Sequence, residues 1–197
     1  MDSIYGSHLD EMNSLMEEID DSIRNINDSI YASTGIQPIE HFLSRIKSEE
    51  SMREKCRRLG IPENEESALS VIHDAIGVRI VCAFLSDVYI VRDHLTKLPG
   101  VEIIQEKDYI KNVKPNGYRS LHLIIKQKGL FAEIQLRTVS MDTWAALEHH
   151  MRYKKNIGGN KALIEKELKR CADELSSTDI SMQAIRDMIF EQNGEHQ

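Results

Sequence analysis

"FAEIQLR", residues 131–137, alternates without a break. In an extended chain Ala132, Ile134 and Leu136 fall on one side, and Glu133, Gln135 and Arg137 fall on the other, beside Phe131. The spacing predicts a strand over 130–137 with one face in a core. "KQKGL" before it reads as a short hairpin turn, and a partner strand is predicted over 118–126. There Leu121, Leu123 and Ile125 share one face, while Tyr118, Ser120 and His122 share the opposite face. A merely solvated sheet face is usually made of Lys, Thr and Glu. A phenol, an imidazole, an amide and a guanidinium side by side point to a binding site. The segment that opens the first of these strands, "KPNGYRSLH" (114–122), begins as a turn at Pro115, Asn116 and Gly117 and delivers Tyr118 and His122 to that face.

Working outward, "GVRIVCAF" (77–84) reads as a buried strand. Val78, Ile80, Cys82 and Phe84 lie on one face, and Arg79, Val81 and Ala83 on the other. An arginine in mid-sheet requires a partner. Further strands are expected at 39–46 and 101–105, and a helix at 87–98 closed by Pro99-Gly100. "RIKSEESMREKCRRLG" (45–60) predicts a helix capped by Ser48 and ended by Gly60. Its residues 45–58 hold six cations against three acids, +3 in a chain of net charge -7. "TVSMDTWAALEHHMRYKK" predicts a helix capped by Thr138 or Ser140, with Met141, Trp144, Leu147 and Met151 buried. Gly158-Gly159 follow, then a tail from 160 to about 190 that reads as two helices broken near "SSTD", with "NGEHQ" frayed. At the other end, Leu9, Met12, Met16, Ile19, Ile23, Ile26 and Ile30 form a heptad seam, which fits equally a helix docked on its own domain or a subunit contact. The expected architecture is therefore α/β. A mixed sheet of about five strands is flanked by helices, with an N-terminal helix (1–34), a catalytic core (38–155) and C-terminal helices (160–192) in one domain over 1–197.

Composition narrows the function. At 41% hydrophobic and 29% charged, the chain is that of a globular protein. The excess of 32 Asp+Glu over 25 Lys+Arg argues against a general duplex-DNA binder. Cys56, Cys82 and Cys171 are odd in number and lack metal spacing, which fits a reduced, cytoplasmic setting. No apolar run has membrane-spanning length and no signal-peptide core opens the chain, so no membrane partner is expected.

Two carboxylates carry the chemistry. Asp74 precedes the strand of Arg79, and Glu133 stands on the polar face. Magnesium takes one or two carboxylates plus phosphate oxygens, and a carboxylate can accept a proton from a hydroxyl nucleophile. With Lys and Arg to hold a triphosphate and Tyr118 to stack on a base, the set suits metal-assisted phosphoryl or pyrophosphoryl transfer. There is no P-loop, dinucleotide fingerprint, zinc signature or nucleophile elbow.

The ordered blocks "RIKSEESMREKCRRLG", "DAIGVRIV", "KDYIKNVKPNGYRSLH" and "AEIQLRTVSMDTWAALEH", spanning roughly 38–155, resemble the synthetase domain of the RelA/SpoT family. The short chain is similar to its small alarmone synthetases, stand-alone synthetase domains of nucleotidyltransferase-like fold that build homotetramers. The resemblance implies transfer of the β,γ-pyrophosphate of ATP to the ribose 3′-hydroxyl of GDP or GTP, with AMP released and Mg2+ as cofactor. It implies that Arg45 and Arg79 sandwich adenine, and that Lys47, Ser51, Lys55 and Arg58 hold the ATP phosphates. Asp74 and Glu133 would bind magnesium, Glu133 also activating the 3′-hydroxyl. Tyr118 would stack on guanine, and Lys114, His122, Gln135, Asp142 and Glu148 would hold the acceptor nucleotide. Gln105 in "QEKD" stands where many long members carry Arg, so the resemblance assigns no preference between GDP and GTP. The dipeptide His73-Asp74 looks like a metal-hydrolase pair, but such a site needs further ligands, and His73 reads as incidental. Two other classes fit the same pocket. One is a catalytically silent homo-oligomer binding guanine nucleotides or single-stranded RNA. The other is a nucleotidyltransferase releasing pyrophosphate.

Overall fold

In the computed structural model, which describes residues 3–153 and 161–194, the alternating segments form one five-stranded sheet. The strands are β1 (Ile39–Ile46), β2 (Ile76–Cys82), β3 (Glu102–Asp108), β4 (Leu121–Gln127) and β5 (Leu130–Thr138). Their order is β1-β2-β5-β4-β3, with β2 and β5 parallel and every other pair antiparallel. The helices are α1 (Leu9–Thr34), α2 (Glu49–Leu59), α3 (Leu85–Leu95), α4 (Val139–Tyr153) and α5 (Lys161–Gly194), with a short π-helical turn at Ser67–Val71. Gln127 pairs with Leu130, and Lys128 and Gly129 between them have φ of 52° and 85°. Two consecutive positive φ values make the tight hairpin turn that matches strand twist.

The registers stack the alternations. Ile76, Val78 and Ile80 face Ala132, Ile134 and Leu136, which face Ile125, Leu123 and Leu121. This apolar face is buried with Val88, Val91 and Leu95 of α3 and with Met12, Leu15, Ile19, Ile23, Ile26 and Ile30 of α1. Each such side chain contributes roughly 1.5–3 kcal/mol on leaving water. The N-terminal seam is therefore spent within its own chain. Ile23 is fully buried, Leu15 replaces the predicted Met16 as a core residue, and Leu9 lies exposed. Of the two readings of that seam the docked helix holds, because the sheet needs a cover on this face.

Other expectations are corrected. The strand expected from 118 begins at Leu121, so Tyr118 and Ser120 sit in the loop before it. Ser120 does not join the polar face: it is buried and donates to the Leu136 carbonyl at 3.0 Å. β3 runs on to Asp108. The tail is one continuous helix through "SSTD", where the Ser177 and Thr178 hydroxyls bond back to carbonyls four residues earlier. Among the residues of α4 whose burial is described, only Met141 and Trp144 are buried, while Leu147 and Met151 are exposed. Thr138 caps α4 by accepting from the Met141 N–H at 3.2 Å. Gly158-Gly159 and most of "NGEHQ" lie outside the described residues.

Candidate active site

Partners in register point to the same face, so the side of the sheet away from α1 and α3 can be read row by row. One row runs Leu43, Arg79, Gln135, His122 and Lys107, and the next runs Arg45, Gly77, Glu133 and Ile124. Gly77 carries no side chain between Arg45 and Glu133, and a cleft opens there. Its walls include Arg45, Lys47, Asp74, Arg79, Glu133 and Gln135.

At one end stand the lysines. β1 ends at Ile46, Lys47 follows, and Ser48 starts α2, whose second turn carries Lys55. Asp74 Oδ2 accepts from Lys47 Nζ at 2.5 Å and from Lys55 Nζ at 2.6 Å. Burial would raise the Asp74 carboxyl, but these two ammonium groups outweigh it and hold it below the usual carboxylate range. Burial pulls the Lys47 ammonium down. Asp74 Oδ1 is buried with no hydrogen-bond partner, and Asp74 lines the same cleft as Glu133. Tyr5 supports this end from behind, its hydroxyl donating to the Lys47 carbonyl at 2.6 Å.

At the other end stands Tyr118. Its hydroxyl lies 2.8 Å from His122 Nε2 and accepts from Arg137 Nη2 at 2.8 Å. The Lys114 ammonium sits 4.2 Å from the Tyr109 ring centre and 4.8 Å from that of Tyr118. Arg137, only 5% exposed, also donates to Gln135 Oε1 and to Asp142 at 3.0 Å. Asp142 lies 3.5 Å from Arg79 as well, so it is the partner the mid-sheet arginine required.

Glu133 joins the two ends. It lies 3.2 Å from His122 Nδ1 and accepts from Gln135 Nε2 at 2.8 Å. Burial alone would raise this carboxyl. The hydrogen bond and charge of His122, the Gln135 amide and the Lys55 charge win, and it sits at about 2.

Arg45, Lys47, Lys55, Asp74, Arg79, Glu133, Gln135, His122, Tyr118, Lys114 and Asp142 thus form one continuous arrangement. Ser51 and Arg58 are exposed on α2 and do not line the cleft, and Glu148 is half-buried on α4, also off its lining. His73 stacks on Phe131 at 4.0 Å. Arg137 was visible in the sequence as a polar-face residue but without a role. Tyr109 and Tyr5 carried no signal, because only the folded chain brings them here. Among the described residues no group of three His, Cys, Asp or Glu forms a metal cluster. Two carboxylates with one oxygen unsatisfied fit magnesium, which takes its remaining ligands from phosphate and water.

The family described as a region found in RelA / SpoT proteins matches residues 44–158. The chain is 38% identical to the GTP pyrophosphokinase YwaC of Bacillus subtilis (strain 168), over 91% of this chain and 96% of that one. Its fold superposes with a TM-score of 0.82 on a GTP pyrophosphokinase family protein from Streptococcus pneumoniae, 34% identical, covering 93% of each chain. It superposes with a TM-score of 0.80 on the small alarmone synthetase 1 of Bacillus subtilis bound to its product pppGpp, 31% identical, covering 90% of this chain and 94% of that one.

Proposed function

The chain belongs to the RelA/SpoT family, and from that premise we propose how its cleft performs the family reaction. The protein is a GTP pyrophosphokinase: it transfers the β,γ-pyrophosphate of ATP to the ribose 3′-hydroxyl of GDP or GTP and releases AMP. The observation that carries the residue assignment is the position of Glu133, hydrogen-bonded toward the tyrosine end while sharing a cleft with Asp74 and Lys47 at the lysine end.

ATP lies along the lysine end. Arg45 and Arg79 flank its base, and Lys47 and Lys55 turn from Asp74 toward the triphosphate. Ser51 and Arg58 on α2 extend that hold to the outer phosphates. The acceptor nucleotide lies at the tyrosine end, its guanine on the Tyr118 ring and its phosphates near Lys114, with His122 and Gln135 beside the ribose. Asp142 and Glu148 border the guanine. Asp74 and Glu133 would hold a magnesium ion, which would neutralise phosphate charge when bound. The 3′-oxygen attacks the β-phosphorus, the bond from that phosphorus to the oxygen bridging to the α-phosphate breaks, and AMP departs with that oxygen. Glu133 accepts the hydroxyl proton. A carboxylate at about 2 is ionised at every working pH but is a weak base, so it takes the proton only as the new P–O bond forms.

A cytoplasmic enzyme of four subunits completes the reading, its contacts supplied by the exposed apolar side chains of α5. Among the described residues no helix is long and apolar enough to cross a membrane. The test is incubation with ATP, GDP and Mg2+ followed by nucleotide separation. AMP appearing in step with a 3′-pyrophosphorylated guanosine is expected. Release of pyrophosphate, or bound nucleotide without turnover, overturns the reading.

A further inference from the structure

The loop that delivers Tyr118 is held from outside the sheet. The neighbouring residue, Arg119, turns away from the cleft and sends its guanidinium to three oxygens. It donates through Nη1 to the carbonyls of Gly117 at 3.1 Å and Ala172 at 3.2 Å, and through Nη2 to the Asp173 carboxylate at 2.8 Å. Its side chain is only 13% exposed. Gly117 has φ of +92°, and a Cβ there would lie 2.6 Å from Ala172 Cβ and 3.2 Å from Lys169 Cα, both on α5. Loop and helix therefore meet with only the Ala172 methyl between them, and Ala172 is buried by that approach. Trp144 makes a second tie. Its ring stands edge-on to Tyr118 at 6.4 Å, and its Nε1 donates to the Leu168 carbonyl of α5 at 2.9 Å.

We propose that Arg119 is a positioning residue that docks the Tyr118 loop on α5, so that the C-terminal helix sets the acceptor side of the site. The proposal rests on the reading of Tyr118 as the guanine-stacking residue. Its reasoning is geometric. Tyr118 follows a turn and precedes β4, so its ring has no strand ladder of its own to hold it. The forked guanidinium bridges the turn carbonyl and the helix, and a planar fork fixes direction as well as distance. A shift of α5 near Lys169–Asp173 then moves Tyr118, whereas Lys47, Asp74 and Arg79 are held by other elements.

The experiment is steady-state AMP release by Arg119→Ala, Arg119→Lys, Asp173→Asn and Tyr118→Ala, titrating GDP at saturating ATP and ATP at saturating GDP. Arg119→Ala is expected to raise KM for GDP about tenfold, the scale of losing hydrogen bonds from a charged group, with KM for ATP within about twofold. Arg119→Lys keeps the charge but not the fork and is expected to fall between wild type and Ala. Asp173→Asn removes the carboxylate charge that pairs with Arg119 and with Lys169 on the exposed side of α5 and is expected to give a smaller shift of the same kind. It carries the test should Arg119→Ala fail to fold. Emission of Trp144, the single tryptophan, is expected to move to longer wavelength in Arg119→Ala as the loop loosens. Equal shifts in both KM values, or no shift in a folded variant, overturns the proposal. If Tyr118→Ala leaves KM for GDP unchanged, it is the acceptor assignment that has failed. If Tyr118→Ala raises it and the Arg119 and Asp173 variants do not, only the docking role has failed.

Discussion

His122 Nδ1 lies 3.2 Å from Glu133 Oε1, although in register His122 faces Gln135 and not Glu133. The contact is diagonal across the β4–β5 ladder, a reach that long polar side chains span on one face. It links the carboxylate at the centre of the cleft to the ring whose other nitrogen meets the Tyr118 hydroxyl.

Glu133→Gln keeps shape and removes both the proton acceptor and a charge from the metal site. Synthesis is expected to fall at least about a hundredfold, with the circular dichroism of the folded protein retained because the residue is outside the apolar core. The readout is AMP formed per enzyme under saturating substrates. A variant with a third of wild-type turnover would falsify the assignment.

The same carboxyl makes stability depend on pH. Its folded value of about 2 is below the ordinary 4.5, so ionisation stabilises the native state above the ordinary value. That stabilisation is lost as pH falls through the window from about 4.5 to 2. Urea unfolding of wild type and Glu133→Gln at several pH values is expected to show the wild type losing its relative stability across that window. A difference between the two proteins that stays constant with pH contradicts the pairing with His122 and Gln135.

Tyr118→Ala is expected to cost roughly 1–3 kcal/mol of GDP affinity, the scale of base stacking on an aromatic ring, while ATP affinity barely moves. Tyr118→Phe separates ring from hydroxyl. It keeps the stacking surface and leaves His122 and Arg137 without that oxygen, so its GDP affinity is expected to fall less. Calorimetric titration of each nucleotide checks both, and a parallel loss for ATP would show the tyrosine to be structural.

Ile19→Asp with Ile23→Asp places two charges under the sheet, because both side chains are buried within the same chain. Loss of folding is the expected outcome, at several kcal/mol for unpaired buried charges, seen by circular dichroism. Ile185→Asp with Ile189→Asp alters side chains that are about half exposed on α5. This pair is expected to leave the fold intact and reduce a four-subunit mass in light scattering. An unchanged mass removes α5 from the contact.

Alternation in the stretches read as strands at 77–84, 118–126 and 130–137 located the three central strands, which run over 76–82, 121–127 and 130–138, and the apolar face of each, since side-chain direction in a strand repeats every two residues. Ser48 and Gly60 likewise marked the ends of α2 by local hydrogen bonding and backbone conformation. The sequence thus determined the polar face with Glu133, Gln135 and Arg137, and the resemblance of its motifs gave the reaction. What it left open were questions of company. Whether the Leu9–Ile30 seam faced a second chain or its own sheet depended on whether any other element covered Val78, Ile80 and Ile134. That Asp142 answers Arg79, that Arg137 ties Tyr118 to Gln135, that Tyr5 reaches the Lys47 carbonyl and that Arg119 reaches α5 all follow from strand order and helix placement. Periodicity is a property of neighbours along the chain and survives in the sequence. Pairing between residues dozens of positions apart exists only once chain entropy has been spent to close those loops, so the tertiary structure alone decided it.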